Sequence, residues 1–317
     1  MSRLSFFLAL LFFPLLTAAV SSASSSRTVA EYLPAMQSIR LPDGSESIAI
    51  RSFLLDGIRT LLVVDPRTLE SRLEAAAYCT PVVADRNPNR EFPYFRLLDQ
   101  STTPPYRLQN QGVTRSTPSR PGWVLTVDMC PSSRSFEEKL FQTLAAVRDD
   151  SGAPVPVAIA VTGLWLDRHP KELDWLKEQS AGKRLAITWV NHSDQHPYSP
   201  GTPLEKNFLL TPGTDFRQEV FAVERKLLEQ GLVPSPFFRF PGLVSSGGLM
   251  QELRQLGLIP LGSDAWLAKG EAPHQGSFIL VHGNGNEPAG VDRLLKLLKS
   301  PEALPFLPLA PAVVSGG

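Results

Sequence analysis

Cysteine is nearly absent: 317 residues contain two, Cys79 and Cys130. Two thiols cannot build the disulfide framework of a small secreted scaffold, so an apolar core must hold the chain together. They allow one bridge at most, and the sequence leaves open whether they pair or whether Cys130 serves chemistry. Charge of either sign is not in excess, with 31 Lys and Arg against 31 Asp and Glu. A neutral chain lacks the field that gathers nucleic acid or holds an anionic membrane, so neither is expected as a partner. Beyond the first twenty residues no apolar run is long enough to cross a bilayer. Solenoid-type repeats are missing too. What is present is ample apolar material, 43% of residues, which excludes a disordered chain.

The N-terminus predicts the compartment. Arg3 precedes an apolar run from Leu4 to Val20, and a Ser/Ala-rich stretch follows, with Ala19 and Ala23 as small-residue cleavage positions. This is the layout of a secretory signal peptide over residues 1–23 rather than of an uncleaved anchor. The mature chain is therefore expected in the periplasm or outside the cell, with no stable membrane span.

From residue 123 onward, β-rich runs alternate with helical ones. Strands are expected over 123–129, 155–161, 185–190, 237–240, 259–262 and 278–282, and helices over 136–148, 171–179, 215–230, 248–255 and 291–299. Such repetition predicts an α/β fold with parallel strands and right-handed crossovers, curled into a barrel or barrel-like sheet. Functional residues should then gather at the C-terminal ends of strands. Residues 27–119 break this rhythm and are expected to form a small accessory α+β region with a linker. A hairpin is predicted around Asp56 and Gly57, a helix over 68–77, and an irregular crossing over 100–121. The second unit is expected to span residues 120–312.

Reactive side chains concentrate beyond three predicted strand ends. Asp128 and Cys130 close the first, His192 and His196 follow the third, and His282 ends the last. Three of only five histidines stand there. Spacing by four would put both imidazoles of His192 and His196 on one side of a helical turn, able to share a cation. With Asp128 they would make a His-His-carboxylate shell with one position open for water.

The ordered series resembles the polysaccharide deacetylase family (NodB homology, similar to carbohydrate esterase family 4). The resemblance spans residue 123 to the C-terminus. Thr126-Val127-Asp128-Met129-Cys130-Pro131 is similar to the family's T-F-D-D-G-P, and His192-Ser193-Asp194-Gln195-His196 to its H-[S/T]-x-x-H. Arg239-Phe240-Pro241 resembles R-x-P, Asp264-Ala265-Trp266 its D-W segment, and Leu280-Val281-His282 its L-x-H. The resemblance implies a distorted (β/α) barrel and a hydrolase that removes acetyl groups from N- or O-acetylated carbohydrate, an envelope or exterior glycan. It implies a divalent metal, zinc foremost, held by His192 and His196. It further implies Asp128 as general base, Arg239 holding Asp128, and His282 as the acid that protonates the leaving group. Trp266 and Pro241 are assigned to substrate.

Met129 departs from that pattern, for it stands where the family has its metal-ligating Asp. A thioether is a poor partner for zinc. Asp128 can become the third ligand, with the metal acting alone or Asp194 assisting. Cys130 can bind as a thiolate, since extended geometry puts it on the face of Asp128, opposite Met129. Or the metal is lost and the chain is a silent glycan-binding relative. The first is preferred, because the other motif residues all remain, and a Met129→Asp reversion should then complete the shell. Asp264, displaced by one position, is the guess for tuning His282.

Overall fold

The computed structural model describes residues 27–82, 92–117, 121–148, 152–300 and 303–314. The proposed signal peptide lies outside the described residues.

A five-stranded antiparallel sheet comes first: β1 (Val29–Arg40), β2 (Glu46–Leu55), β3 (Ile58–Val64), β4 (Ser71–Ala75) and β5 (Thr80–Pro81), in the order β4-β3-β2-β1-β5. The β2–β3 hairpin turns at Asp56 and Gly57, both at positive φ, as a tight primed turn requires. The helix expected over 68–77 does not form. Asp65 caps a turn by accepting from the Arg67 and Thr68 amides, and Leu69 enters left-handed space, so the chain doubles back. Residues 71–75 then pair with β3 along five positions, which outweighs their helical periodicity.

After α1 (Pro93–Thr102) a parallel sheet begins. Its strands are β6 (Val124–Met129), β7 (Val155–Val161), β8 (Leu185–Asn191), β9 (Phe237–Phe238), β10 (Ile259–Pro260), β11 (Ala265–Trp266) and β12 (Phe278–His282). The helices between and after them are α2 (Glu138–Ala146), α3 (Gly163–Arg168), α4 (Pro170–Ala181), α5 (Phe216–Glu229), α6 (Gly247–Gln255), α7 (Pro288–Leu297) and α8 (Leu309–Val313). The order is β10-β9-β8-β7-β6-β12-β11, so β12 returns to the outer side of β6. The two edge strands, β10 and β11, are consecutive in the chain. The sheet therefore curls, with its seam between them.

That seam is filled by the segment expected to be a linker. The Val113 amide donates to Pro260 O (2.9 Å), Gly262 N donates to Val113 O (2.8 Å), and Phe278 N donates to Thr114 O (3.3 Å). Gly112 makes the approach possible: its φ is +131°, and a Cβ there would lie 2.4 Å from Pro260 O. The two sheets share one apolar core, in which Ile48, Ile50, Phe53 and Leu62 pack with Phe237, Phe238, Met250 and Leu253. They also share a buried ion pair. Arg51 on β2 donates through Nε and Nη2 to both carboxylate oxygens of Glu224 on α5, at 2.7 and 2.9 Å.

Candidate metal centre and active site

The C-terminal ends of β6, β8 and β12 open into a cavity of about 630 Å³, with Asp128, Cys130, His192, His196, Trp266 and His282 in its wall. On β6 the pleat decides which side chains reach it. Asp128 and Cys130 face the cavity, whereas Val127 and Met129 pack with Leu140 and Phe141 of α2. Met129 Sδ would lie 2.7 Å from a Cβ on Gly283. An acid at 129 would thus be buried among apolar groups, so the expected completion of the shell by Met129→Asp does not follow from this backbone.

His192 and His196 converge, but not on a helix. The chain after β8 makes a tight turn in which Ser193 and His196 both have positive φ, +68° and +48°. Asn191 holds that turn: its Oδ1 accepts from Ser193 N (3.0 Å) and its Nδ2 donates to Val220 O (2.8 Å). Glu219 of α5 accepts from Gln195 N at 2.9 Å. Behind it, Gly163 and Leu164 at the start of α3 donate to the carbonyls of Ser193 and Asp194. The two imidazole centroids end 5.0 Å apart. His192 Nδ1 donates to the Arg239 carbonyl (2.8 Å), which leaves Nε2 as the free acceptor, 3.4 Å from Cys130 Sγ. His196 Nε2 is buried with no hydrogen-bond partner.

Cys130, His192 and His196 offer donor atoms that all lie within 4.8 Å of one another. One thiol and two imidazoles suit a borderline-soft cation such as zinc, and the unpartnered His196 nitrogen fits that use. Both cysteines are free thiols, so no bridge competes for Cys130. Burial pushes the Cys130 thiol up, but His196 and His282 beside it outweigh this and bring its pKa to about 7. Burial lowers the pKa of His192, with Asp128 opposing, which favours the neutral ring a metal needs.

Asp128, expected as the third ligand, stands outside that group. Its Oδ2 is 3.5 Å from His192 Nε2 and 4.0 Å from Arg239 Nη1, while Oδ1 is buried without a partner. Arg239 is wholly buried and donates through Nη2 to Thr126 Oγ1 (2.9 Å). Burial lowers its pKa, and Asp128 counteracts this.

His282 is tuned by a residue that sequence reasoning missed. Its Nδ1 lies 2.8 Å from Glu287 Oε2, and that oxygen also accepts from Trp266 Nε1 at 2.7 Å. Burial opposes charge on His282, yet Cys130, Glu287 and Asp128 together raise its pKa well above the ordinary value. Asp264, guessed for this role, instead accepts from Phe278 N and Ser277 Oγ beneath the sheet edge. The signal for Glu287 was a carboxylate in the loop after a strand-end histidine, five positions on.

Other expectations sort as follows. Asp194 is engaged by Lys226 Nζ at 2.6 Å and does not line the cavity, so it has no place assisting there. Pro241 is buried at the start of a 3-10 turn, and its successors Gly242 and Leu243 line the cavity instead. Gly242 is required, because a Cβ would lie 2.5 Å from the Phe208 ring. Tyr198, exposed at the rim and stacked on Phe208 at 5.2 Å, adds an aromatic wall that the motifs did not foretell.

No family profile matches this chain. Among solved structures it is similar to a family 4 carbohydrate esterase from Bacillus anthracis, at 20% identity over 69% of this chain and 90% of that one, with a TM-score of 0.45. Family 4 carbohydrate esterase PdaA of Bacillus subtilis aligns at 18% identity over 59% and 79% of the two chains, TM-score 0.44. A family 4 pseudoenzyme from Bacillus anthracis aligns at 11% identity over 65% and 69%, TM-score 0.44. The solved structures that this chain resembles include family 4 carbohydrate esterases, a peptidoglycan deacetylase and a family 4 pseudoenzyme.

Proposed function

We propose that this chain is an exported hydrolase that removes acetyl groups from N- or O-acetylated carbohydrate. In this reading residues 1–23 are its leader, 27–119 an accessory region, and 120–312 a distorted (β/α) barrel of the NodB-homology type. One observation carries the reading: the motif residues Asp128, His192, His196 and His282 line a single cavity, with Arg239 buried behind Asp128 at 4.0 Å and Glu287 2.8 Å from His282.

His192 and His196 would hold a divalent metal, zinc by the chemistry of the donors, with a third donor from the end of β6. Such a metal polarises an acyl carbonyl and acidifies a water. Arg239 is a cationic neighbour of Asp128 at 4.0 Å, and the unpartnered Oδ1 is available to take a proton from the attacking water. His282, held at Nδ1 by Glu287, presents Nε2 for protonating a departing amine or alcohol. Trp266 and Tyr198 offer apolar faces that suit an acetyl methyl or a sugar ring.

The test is acetate release from acetylated chito-oligosaccharides and acetylated xylan by the zinc-loaded protein. His192→Ala and His196→Ala should lose metal and activity together. His282→Ala should keep the metal and lose about a hundredfold in kcat. Full metal loading and glycan binding without acetate from either substrate would replace this reading by the silent glycan-binding one.

A further inference from the structure

We propose that Cys130 is the third protein ligand of this centre, as a thiolate. The site would then be a Cys-His-His set selecting zinc, cobalt or cadmium over magnesium, calcium or manganese, with Asp128 outside the shell. This rests on the reading above, in that it takes a metal between His192 and His196.

Five observations converge on it. The pleat of β6 aims Cys130, one residue beyond the strand end, into the same cavity as Asp128. Its Sγ lies 3.4 Å from His192 Nε2, and the three donor atoms are within 4.8 Å of one another. Zinc with its usual bond lengths in a tetrahedron separates neighbouring sulfur and nitrogen ligands by roughly 3.5 Å. Next, the proton on His192 Nδ1 is committed to the Arg239 carbonyl, so the Nε2 lone pair is left for the cavity side, with Cys130 Sγ at 3.4 Å and Asp128 Oδ2 at 3.5 Å. A backbone carbonyl fixing the distal nitrogen is how ligand histidines are held. His196 contributes a buried nitrogen with no other partner. Finally, Asp128, whose Oδ2 is 3.5 Å from His192 Nε2, is not in the group that closes on both histidines. At 4.0 Å it is also the carboxylate facing the buried guanidinium of Arg239, whose Nε and Nη1 have no hydrogen-bond partner. Drawing Asp128 onto the metal would leave that guanidinium without its counter-charge.

The selectivity follows from donor chemistry. A carboxylate in third place accepts hard cations, whereas a thiolate favours soft and borderline ones. Coordination also needs the thiol proton to leave, and a cation takes its place between Sγ and the imidazoles.

The experiment is cobalt(II) titration of the metal-stripped full chain, followed by absorption spectroscopy. One cobalt per chain is expected, with an intense thiolate-to-cobalt charge-transfer band in the near ultraviolet. Cys130→Ser should lose the band and weaken binding at least about a hundredfold, beyond the usual effect of outer-shell changes. Asp128→Asn should keep both band and stoichiometry. Cys130→Asp, a control against a merely misfolded serine variant, should bind cobalt without the band and shift preference toward manganese. Cobalt bound by the wild type with no charge-transfer band, or released by Asp128→Asn but not by Cys130→Ser, would overturn the assignment while leaving a metal-dependent hydrolase intact. A wild-type chain that takes up neither cobalt nor zinc would overturn both. Metal-independent acetate release blocked by alkylating Cys130 would also overturn it, making the sulfur a nucleophile.

Discussion

Glu287 is the carboxylate in direct contact with His282, and it acts with Cys130 and Asp128 on the charge of that ring. Its Oε2 touches His282 Nδ1 and the Trp266 indole at once, so it orients the ring and favours its charged form. Burial works against that charge, and the neighbouring Cys130 and Glu287 overcome it. If protonated His282 is the acid, activity is lost on the alkaline side, where the imidazolium deprotonates. Removing a neighbouring negative charge lowers that pKa. Glu287→Gln should therefore move the alkaline limb of the kcat/KM profile to lower pH and reduce kcat about tenfold. Metal content should stay unchanged, and Glu287→Asp should restore part of the loss. A raised KM with an unmoved profile would mean that Glu287 serves only to place Trp266.

At the scale of elements, the turn between β8 and α5 is what turns two sequence positions into one binding geometry. The turn is not itself helical; buried polar groups hold it against α5 and α3. Asn191 bridges the turn to the Val220 carbonyl of α5, and Glu219 on the same helix takes the Gln195 amide. Asn191→Ala would strand the buried Ser193 amide, at a cost of about 1–3 kcal/mol in stability, and remove the tie to the Val220 carbonyl. Because the turn carries both histidines, zinc affinity should also fall about ten- to a hundredfold. Chelator competition and urea unfolding measure the two effects separately. Unchanged zinc affinity would show that α3 alone, through its amides to Ser193 and Asp194, suffices to hold the turn.

Across the whole molecule, the antiparallel sheet is fastened to the curled one by Arg51 and Glu224, both buried, with Tyr32 donating to the same carboxylate at 2.9 Å. Arg51 also donates to the Leu256 carbonyl after α6, so one side chain ties β2, α5 and α6. Arg51→Met leaves a carboxylate buried with little but a hydroxyl to meet it. It should cost about 3–5 kcal/mol, while Arg51→Met with Glu224→Leu should recover most of this. Urea curves followed by fluorescence and by circular dichroism should coincide, since both sheets share one core. Separate transitions would show that residues 27–82 unfold alone.

Much of the curled sheet was legible because buried parallel strands are unbroken apolar runs; 155–161 and 278–282 form strands over the expected residues. Helix α5 declared itself through Asp215, whose side chain caps it by accepting from Gln218 N. Strand β1 was hidden, because register shifts near Glu31 and Met36, both at positive φ, break its alternation. The seam segment was hidden too, since its partners lie far along the chain. The motif residues could be named from their order and a family resemblance, and Asp128, His192, His196 and His282 line one cavity. The pleat set Asp128 and Cys130 on one face and Met129 on the other from the sequence alone. Which of Asp128 and Cys130 lies close to both histidines, and which carboxylate meets His282, depended on where the strand end and a later loop come to rest. Those are properties of packed backbone, to which linear spacing is blind.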